Sequence, residues 1–307
     1  MKVIYLGTPE FAVNPLKAIV SSGRHQVVGV VTQPDRPVGR KNIMTPPPVK
    51  VVANENGIPV FQYEKIRVEG VEDLKSLGAD IMITCAYGQI LSREIIDICP
   101  YGIINIHGSL LPKYRGASPI QSAVINGEKT TGITVMQTEE GLDCGDILAV
   151  FETPIGEEET SADLFARLSI LAAKNICSVL DDIEDGKITP IKQDESQATL
   201  VKTIKKEDAL IDFSKDALTV KNLINGMNPW PIAFTLKNGK KLKFYRARTA
   251  QGNGKAGEVI VADKKLVIAC GNGAVEIGIL QEEGGKAMSA QSYLNGRKLK
   301  VGDLLGE

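Results

Sequence analysis

Two polar side chains, Asn105 and His107, stand two positions apart at the end of an apolar run over residues 102–106. Alternate residues of an extended strand point to the same side, so both side chains are expected on one face. Asn offers a neutral N–H donor, and His offers a donor that gains charge near neutral pH. This pair suits acyl transfer, in which negative charge develops on an oxygen. The alternative is that Asn105 caps a turn and His107 is an ordinary core histidine.

A second polar segment, residues 140–146, has the sequence Glu-Gly-Leu-Asp-Cys-Gly-Asp and lies between two strand-like patterns. It predicts a tight acidic turn, with Asp143 as the carboxylate that completes the candidate site. A calcium-binding loop or a solvated turn is the alternative. Because the segment lacks the twelve-residue ligand spacing of an EF-hand, we do not favour a metal there.

Apolar runs alternate with helical patterns through the first half of the chain. Strands are predicted at residues 3–6, 26–32, 58–61, 80–84 and 102–106, and a long helix at 160–186. This alternation indicates an α/β domain with a Rossmann-like, mostly parallel sheet. Ligands bind beyond the carboxyl ends of such strands, which is where Asn105 and His107 lie.

The last third of the chain has a different pattern. Residues 1–188 are predicted to form the catalytic domain, 189–206 a polar linker, and 207–307 a small β-barrel of the oligonucleotide-binding (OB) type. Gly-containing turns at 238–239, 252–254 and 271–273 are predicted to be hairpin turns. Trp230, which stands between two prolines, is expected to be a packing anchor between the domains.

Charge is unevenly distributed, although the whole chain of 307 residues has a net charge of only −1. Residues 206–307 contain 16 Lys and Arg against 11 Asp and Glu, so the excess of positive charge lies in the C-terminal third of the chain. The hydrophobic content of 43% and charged content of 24% are those of a globular protein. The two parts are therefore expected to meet different partners.

Five cysteines form no Cys-x-x-Cys pair, which favours reduced thiols over a disulfide framework. The chain has only two histidines, so no metal is expected. We expect a cytoplasmic protein, because the N-terminus resembles no signal peptide and no apolar run reaches membrane-spanning length. A monomer is expected because nothing in the sequence demands a dimer.

Several motifs in this order resemble folate-dependent formyltransferases, and within that family the members that act on methionyl-tRNA. The strongest are residues 105–116, which contain Ser-Leu-Leu-Pro at 109–112, and residues 142–146. The others are residues 7–11, 33–40, 86–88, 228–231 and 286–291. The resemblance extends over nearly the whole chain.

The resemblance implies three catalytic residues, Asn105, His107 and Asp143. It implies 10-formyltetrahydrofolate as the formyl donor and the amine of methionine on initiator tRNA as the acceptor. Asn105 and His107 are then placed to donate to the oxyanion, and Asp143 to orient His107 or relay a proton. The expected folate-contacting residues are Tyr87, Gly88, Ile90, Ser109, Leu110, Leu111 and Pro112.

The proline-rich segment 34–48 is predicted to be an exposed loop close to the ligand edge of the sheet. Its basic residues Arg36, Arg40 and Lys41 are candidates for gripping tRNA phosphates, and the resemblance points most clearly to Arg40. Lysines and arginines at 240–248 are weaker candidates on the C-terminal domain.

Three other functions are weighed against this one. A nicotinamide-dependent oxidoreductase is disfavoured because residues 7–12 lack the Gly-x-Gly-x-x-Gly pattern. A formyltransferase acting on another amine, such as a nucleotide amino sugar or a purine precursor, would need neither a basic barrel nor the Arg40 loop. A non-catalytic RNA-binding module leaves the Asn105, His107 and Asp143 set unexplained.

Overall fold

A computed structural model describes residues 1–39, 41–296 and 298–306. Close backbone contacts divide the chain into two compact units, and both are discontinuous in sequence. The first unit comprises Met1–Gly116, Gly132–Thr153 and Phe165–Leu200. The second comprises Ala117–Thr131, Pro154–Leu164 and the chain from Val201 onward. The domain limits predicted from the sequence, with a single linker at 189–206, stay a prediction.

The strands of the first half are β1 (Lys2–Gly7), β2 (Gln26–Thr32), β3 (Arg36–Val38), β4 (Ile43–Thr45), β5 (Val60–Gln62), β6 (Ile81–Cys85), β7 (Ile103–His107), β8 (Arg115–Gly116), β9 (Thr130–Gln137) and β10 (Ile147–Pro154). The helices are α1 (Val13–Ser22), α2 (Pro48–Glu55), α3 (Ile66–Glu69), α4 (Val71–Ser76), α5 (Arg93–Ile96), α6 (Pro119–Ile125) and α7 (Ser161–Glu184).

The main sheet of the first unit has the strand order β10-β9-β7-β6-β1-β2-β5. Strands β1, β2, β5, β6 and β7 run parallel, and β9 is antiparallel to β7. The central strands are buried because both of their faces are apolar, as parallel sheets require. This confirms the predicted mostly parallel α/β sheet.

Helical segments lie against both faces of this sheet. On one face, Ile4 and Leu6 pack in a core with Ile66, Leu74 and Ile95 from α3, α4 and α5. Neighbouring residues of a strand point to opposite faces. The Tyr5 hydroxyl accordingly donates to the Ala12 carbonyl at the start of α1, at 2.7 Å.

Residues 36–39 and 41–46 are exposed, as predicted for segment 34–48, but they do not form an irregular loop. Strands β3 and β4 pair antiparallel within the segment, with Arg36 opposite Thr45 and Val38 opposite Ile43. The sequence did not predict this pairing, because the segment has five prolines and proline usually argues against a strand. Pro37 lies within β3, and the other four prolines lie outside the two strands.

The later elements are β11 (Leu200–Val201), α8 (Ala217–Gly226), β12 (Ala233–Lys237), β13 (Lys240–Ala250), β14 (Val259–Ala262), β15 (Leu266–Ala269), β16 (Ala274–Glu282), β17 (Met288–Ser289) and α9 (Ala290–Asn295). The second unit contains an antiparallel sheet with the order β12-β13-β16-β15-β14, and β17 also pairs with β16.

The C-terminal segment connects the two edge strands of this antiparallel sheet. Gly306 donates its N–H to the Leu236 carbonyl in β12 at 2.9 Å. Leu305 donates to the Gly257 carbonyl, just before β14, also at 2.9 Å. Backbone pairing therefore continues around the sheet, which agrees with the predicted barrel.

Two of the three predicted hairpin turns are confirmed, and the third is wrong. Asn238 and Gly239, with φ of 51° and 73°, join β12 to β13, and residues 271–273 join β15 to β16. Residues 252–254 follow β13, which pairs with β12 and β16 rather than with β14. They therefore form a connection between non-adjacent strands.

The exposure of Trp230 and the hydropathy of the helices bear on two further expectations. Trp230 is 51% exposed, and its role as a packing anchor between the domains stays a prediction. In the part of the chain that the structure describes, no helix combines the length and apolar character needed to cross a bilayer.

The contact between α6 and α8 in the second unit gives a stability test. Gly226, the last residue of α8, lies so close to Ile125 that an added Cβ would overlap the Ile125 side chain. We expect Gly226→Ala to lower the free energy of unfolding by about 1–3 kcal/mol through overpacking, as measured by chemical denaturation. Leu218→Ala on the same helix is the control, because Leu218 is 49% exposed and should change stability by less than about 0.5 kcal/mol. Equal effects of the two changes would contradict the close packing.

Candidate active site

The carboxyl ends of β6 and β7 hold the first part of the site. Asn105 and His107 lie at the end of β7, on the same side of the strand by alternation. Thr84, at the end of β6, is the register partner of Asn105. Asp143 comes from the turn between β9 and β10. The structure thus brings together the three side chains that the sequence singled out.

The Asp143 carboxylate is the meeting point of these groups. Its Oδ1 accepts from Asn105 Nδ2 at 3.4 Å, and its Oδ2 accepts from the Gly116 backbone N–H at 2.8 Å. Oδ2 also lies 3.7 Å from His107 Nδ1. Asp143 has a φ of 48°, in the left-handed region that only a minority of non-glycine residues adopt. The carboxylate is therefore held by contacts on several sides.

The imidazole of His107 is almost fully buried, with its side chain 6% exposed. Nε2 lies 2.9 Å from the Tyr114 carbonyl oxygen. Because a carbonyl oxygen can only accept, Nε2 carries the proton in the neutral ring, and Nδ1 faces Asp143 with its lone pair. Burial lowers the pKa of His107 from its usual value, while the Asp143 carboxylate and the Tyr114 carbonyl act in the opposite direction. Burial is the largest of these effects, and it favours the neutral form of the ring.

The orientation of the Asn105 amide follows from its neighbours. A carboxylate only accepts, so the atom that faces Asp143 is Nδ2, and Oδ1 accepts from the Thr84 hydroxyl at 2.9 Å. An amide nitrogen carries two hydrogens, of which the contact with Asp143 uses one. The second N–H can serve an oxygen of a bound substrate.

The Ser-Leu-Leu-Pro segment predicted to contact folate is ordered by its own contacts. Ser109 is fully buried, and its hydroxyl donates to the Lys113 carbonyl at 2.7 Å. Thr134 accepts from the Leu111 N–H at 3.1 Å and donates to the Ser109 carbonyl at 2.7 Å. Leu111 is buried, while Leu110 and Pro112 are partly exposed. The hydroxyl of Ser109 therefore shapes the loop.

The other predicted folate residues follow β6. Tyr87 is buried, and its carbonyl accepts from the Thr8 hydroxyl at 3.2 Å and from the Gln33 amide at 3.1 Å. Gly88 has a φ of 86°, which favours glycine at that position. Ile90 is 77% exposed and leaves an apolar surface open.

The basic residues of segment 34–48 are exposed. Arg36 pairs with Glu64 at 2.7 Å, and both of these side chains are more than half exposed. Lys41 is exposed in the turn between β3 and β4. Arg40, the residue to which the resemblance pointed most clearly, lies outside the described residues.

Sequence reasoning missed several groups that shape the site. Thr84 could have been predicted from the sequence, since parallel pairing of β6 and β7 aligns it with Asn105. The Tyr114 carbonyl and the Gly116 N–H belong to the backbone, so no residue type signals them. Gln193, which donates to the Asp143 carbonyl at 2.9 Å, lies in the segment predicted to be a linker.

One group of potential metal ligands occurs within the described ranges, formed by His25, Asp181 and Glu184. Arg24 lies 2.6 Å from Asp181, and the α-amino group of Met1 lies 3.4 Å from Glu184. Since two cations already face these carboxylates, a metal ion would meet charge repulsion there. We therefore assign no metal to this group.

The family model described as "Formyl transferase" matches residues 1–180, more than half of the chain. The chain belongs to the formyl transferase family. A second model, "Formyl transferase, C-terminal domain", matches residues 203–298. The two matches correspond to the α/β part and to the part that contains the antiparallel sheet.

Relatives of this formyl transferase match it over its full length. A protein of Citrifermentans bemidjiense named "Methionyl-tRNA formyltransferase" is 45% identical over 309 residues, covering 100% of this chain and 97% of the relative. A protein of Lachnospira eligens with the same name is 46% identical over 316 residues, covering 100% of both chains.

Solved structures of other formyl transferases share the fold. An N-formyltransferase of Helicobacter canadensis, in complex with folinic acid and dTDP-3-aminofucose, gives a TM-score of 0.71 at 18% identity, over 92% of this chain and 100% of that chain. HypX of Aquifex aeolicus in complex with tetrahydrofolic acid gives 0.66 at 18% identity, over 98% of this chain and 48% of that chain. At these identities the likeness shows the fold alone.

The environment of His107 predicts its titration. We expect the pKa of the imidazole to lie below the usual value of a histidine, because the buried ring resists charging. Asp143→Asn removes the negative charge that favours the imidazolium, so the pKa of His107 should fall further. NMR titration measures this directly, because the chain has only two histidines and the His107→Asn variant assigns the signals. A pKa above the usual value of a histidine, or no change in the Asp143→Asn variant, would contradict the assigned geometry.

Proposed function

We propose that this formyl transferase moves the formyl group of 10-formyltetrahydrofolate to the amino group of methionine on initiator methionyl-tRNA, for translation initiation. The observation that carries the proposal is the full-length match, at 43–46% identity, to proteins named methionyl-tRNA formyltransferase. The match includes the C-terminal part of the chain. Folate as the class of donor agrees with the folate compounds in the two neighbouring structures.

The proposed reaction joins the amine nitrogen to the formyl carbon and then breaks the bond from that carbon to N10 of the folate. The intermediate between these steps is tetrahedral and has negative charge on the formyl oxygen. Asn105 donates its second amide N–H to that oxygen. Removal of one such donor typically costs about 10²–10³ in rate.

The attacking nitrogen must lose a proton, and N10 must gain one. His107 Nδ1 is the proposed acceptor, because the single N–H of the neutral ring already points to the Tyr114 carbonyl. The imidazolium that forms is stabilised by Asp143 and can return its proton to N10. In this scheme His107 assists the oxyanion only in its protonated form, through Nδ1–H.

The proposed folate slot lies along the loops that follow β6 and β7. A flat pteridine ring needs apolar walls and a few backbone hydrogen bonds, which a loop of buried and partly exposed apolar residues supplies. The residues assigned to it are Tyr87, Gly88, Ile90, Ser109, Leu110, Leu111 and Pro112.

The proposed tRNA contacts are Arg36, Arg40 and Lys41, together with basic residues of β13. The ion pair between Arg36 and Glu64 is exposed and is expected to contribute less than about 1 kcal/mol, so a phosphate can replace the carboxylate. We also infer a cytoplasmic monomer, since the proposed acceptor is a substrate of translation and the reaction needs no second chain.

A nucleotide amino sugar is the alternative acceptor. The Helicobacter canadensis structure in complex with dTDP-3-aminofucose favours testing it, although at 18% identity the likeness concerns the fold. The two acceptors differ in size and charge, so a direct competition between them is informative.

A turnover assay with 10-formyltetrahydrofolate and charged initiator tRNA tests the reaction. We expect Asn105→Ala and His107→Ala each to lower kcat by about 10²–10³, because they remove the oxyanion donor and the base. Glu140→Gln is the matched control, an exposed acidic residue of the same turn, and should keep the wild-type rate. Formylation of an amino sugar but not of methionyl-tRNA would transfer the proposal to the alternative acceptor.

The basic residues of the hairpin formed by β3 and β4 give a separate test of the acceptor. We expect Arg36→Ala and Lys41→Ala to raise KM for methionyl-tRNA and to leave KM for the folate unchanged. Removal of one cation that binds a phosphate should reduce the slope of log affinity against log salt by about 1. Lys17→Ala, an exposed lysine on α1, is the control. An unchanged salt slope in both hairpin variants would remove the hairpin from the tRNA interface.

A further inference from the structure

Residues 191–199, here called the strap, were predicted to be a linker but lie against the active-site loops. The strap is attached at its start to β10, where Ile191 and Ile147 exchange backbone hydrogen bonds of 2.8 and 2.9 Å. At its end, the Thr199 carbonyl accepts from the Arg115 N–H at 2.8 Å. Both attachments lie beside residues of the proposed active site.

Gln193, a residue of the strap, uses both the nitrogen and the oxygen of its side-chain amide in hydrogen bonds to residues outside the strap. Its Nε2 donates to the carbonyls of Asp143 and Gly145, at 2.9 and 2.8 Å. Its Oε1 accepts from Arg115 Nε and Nη2, at 3.0 and 2.8 Å. Two donors and one acceptor are thus paired, which fixes the amide orientation.

Arg115 connects Gln193 to the rest of the strap. Its side chain is 6% exposed, and its guanidinium makes two hydrogen bonds to the Glu195 carboxylate, at 2.9 and 2.7 Å. This bidentate geometry restricts the orientation of the guanidinium. The donor that Gln193 Oε1 needs is therefore itself held in place.

Thr199, at the end of the strap, also holds Tyr114, the second residue that contacts the His107 ring. The Thr199 hydroxyl accepts from the Tyr114 N–H at 2.8 Å. The carbonyl of Tyr114 is the group that binds His107 Nε2. The two groups that flank the imidazole, the Tyr114 carbonyl and the Asp143 carboxylate, are thus both secured by this one segment.

We propose that Gln193 is a positioning residue, which acts through the backbone of the acidic turn to hold the Asp143 carboxylate against His107. The turn needs such support because Asp143 has a φ of 48°, a conformation that persists only where the surroundings enforce it. The close approach at Gly145, where an added Cβ would overlap the Gln137 carbonyl, braces the turn from the other side. The catalytic part of this inference rests on the proposed function.

Gln193→Met tests the proposal, because it keeps the length of the side chain and removes every hydrogen bond. We expect kcat to fall by about 10- to 100-fold, since a shift of about 1 Å in a catalytic group has effects of that size. KM for folate and for tRNA should stay within about twofold. Gln197→Met is the matched control, since Gln197 is exposed in the same strap and its amide donates to Asp194 rather than to the acidic turn.

Two further measurements separate positioning from general stability. In the Gln193→Met variant, the NMR-measured pKa of His107 should move down, because the Asp143 carboxylate is no longer held nearby. In an Asp143→Asn background, Gln193→Met should cause little additional loss of kcat, because both changes act on the same group. Thr199→Val gives an independent route through Tyr114 and is expected to lower kcat with the folate KM unchanged.

The outcomes distinguish this inference from the proposed function. A wild-type protein that fails to formylate methionyl-tRNA would overturn the function, while the titration of His107 would still test the positioning. Normal kcat together with an unchanged His107 pKa in the Gln193→Met variant would overturn the inference. Additive losses in the double variant would overturn it as well. If Gln193→Met does not fold, the same kinetics and titration on Gln193→Glu decide, because that change removes the donors to the Asp143 and Gly145 carbonyls and keeps an acceptor for Arg115.

Discussion

The burial of one imidazole between a carbonyl oxygen and a carboxylate is the constraint on which the site depends. Tyr114 fixes which ring nitrogen carries the proton, and Asp143 faces the nitrogen that does not. Burial favours the neutral ring, and the carboxylate favours the charged ring. A base that takes up a proton and returns it within one turnover needs both effects in opposition.

The parallel sheet supplies only part of this arrangement. The ends of β6 and β7 place Thr84, Asn105 and His107 at one edge, as the general geometry of such sheets requires. The carboxylate comes from a turn after the antiparallel strand β9, and its conformation is not one that the sheet imposes. Precision at Asp143 therefore has to come from contacts outside the regular elements, which is the role that we assign to the strap.

Features that depend on interactions between residues close in sequence could be predicted, and features that depend on contacts between distant residues could not. Central strands such as β2 were placed from the sequence because apolar residues on both faces are a local signal. Asn105, His107 and Asp143 were singled out because they lie in short motifs that resemble those of a known family. The order of the C-terminal strands could not be predicted, because the pairing of β13 with β16 depends on contacts between distant residues. A turn at 252–254 gives no information about that pairing. Gln193 could not be found at all, because its partners are backbone carbonyls 48 and 50 residues away.

The choice of acceptor has a different physical origin from the chemistry. Any amine that attacks a formyl group needs the same oxyanion donor and the same proton acceptor, so these groups cannot distinguish a sugar from a tRNA. Discrimination must come from surfaces that contact the acceptor away from the reacting nitrogen. The exposed hairpin β3–β4 presents cationic and apolar side chains together, with Ile43 61% and Met44 59% exposed beside Lys41. Phosphates attract the cations and unstacked bases can cover the apolar groups, and the end of a tRNA offers several of each where a sugar nucleotide offers one base and one diphosphate.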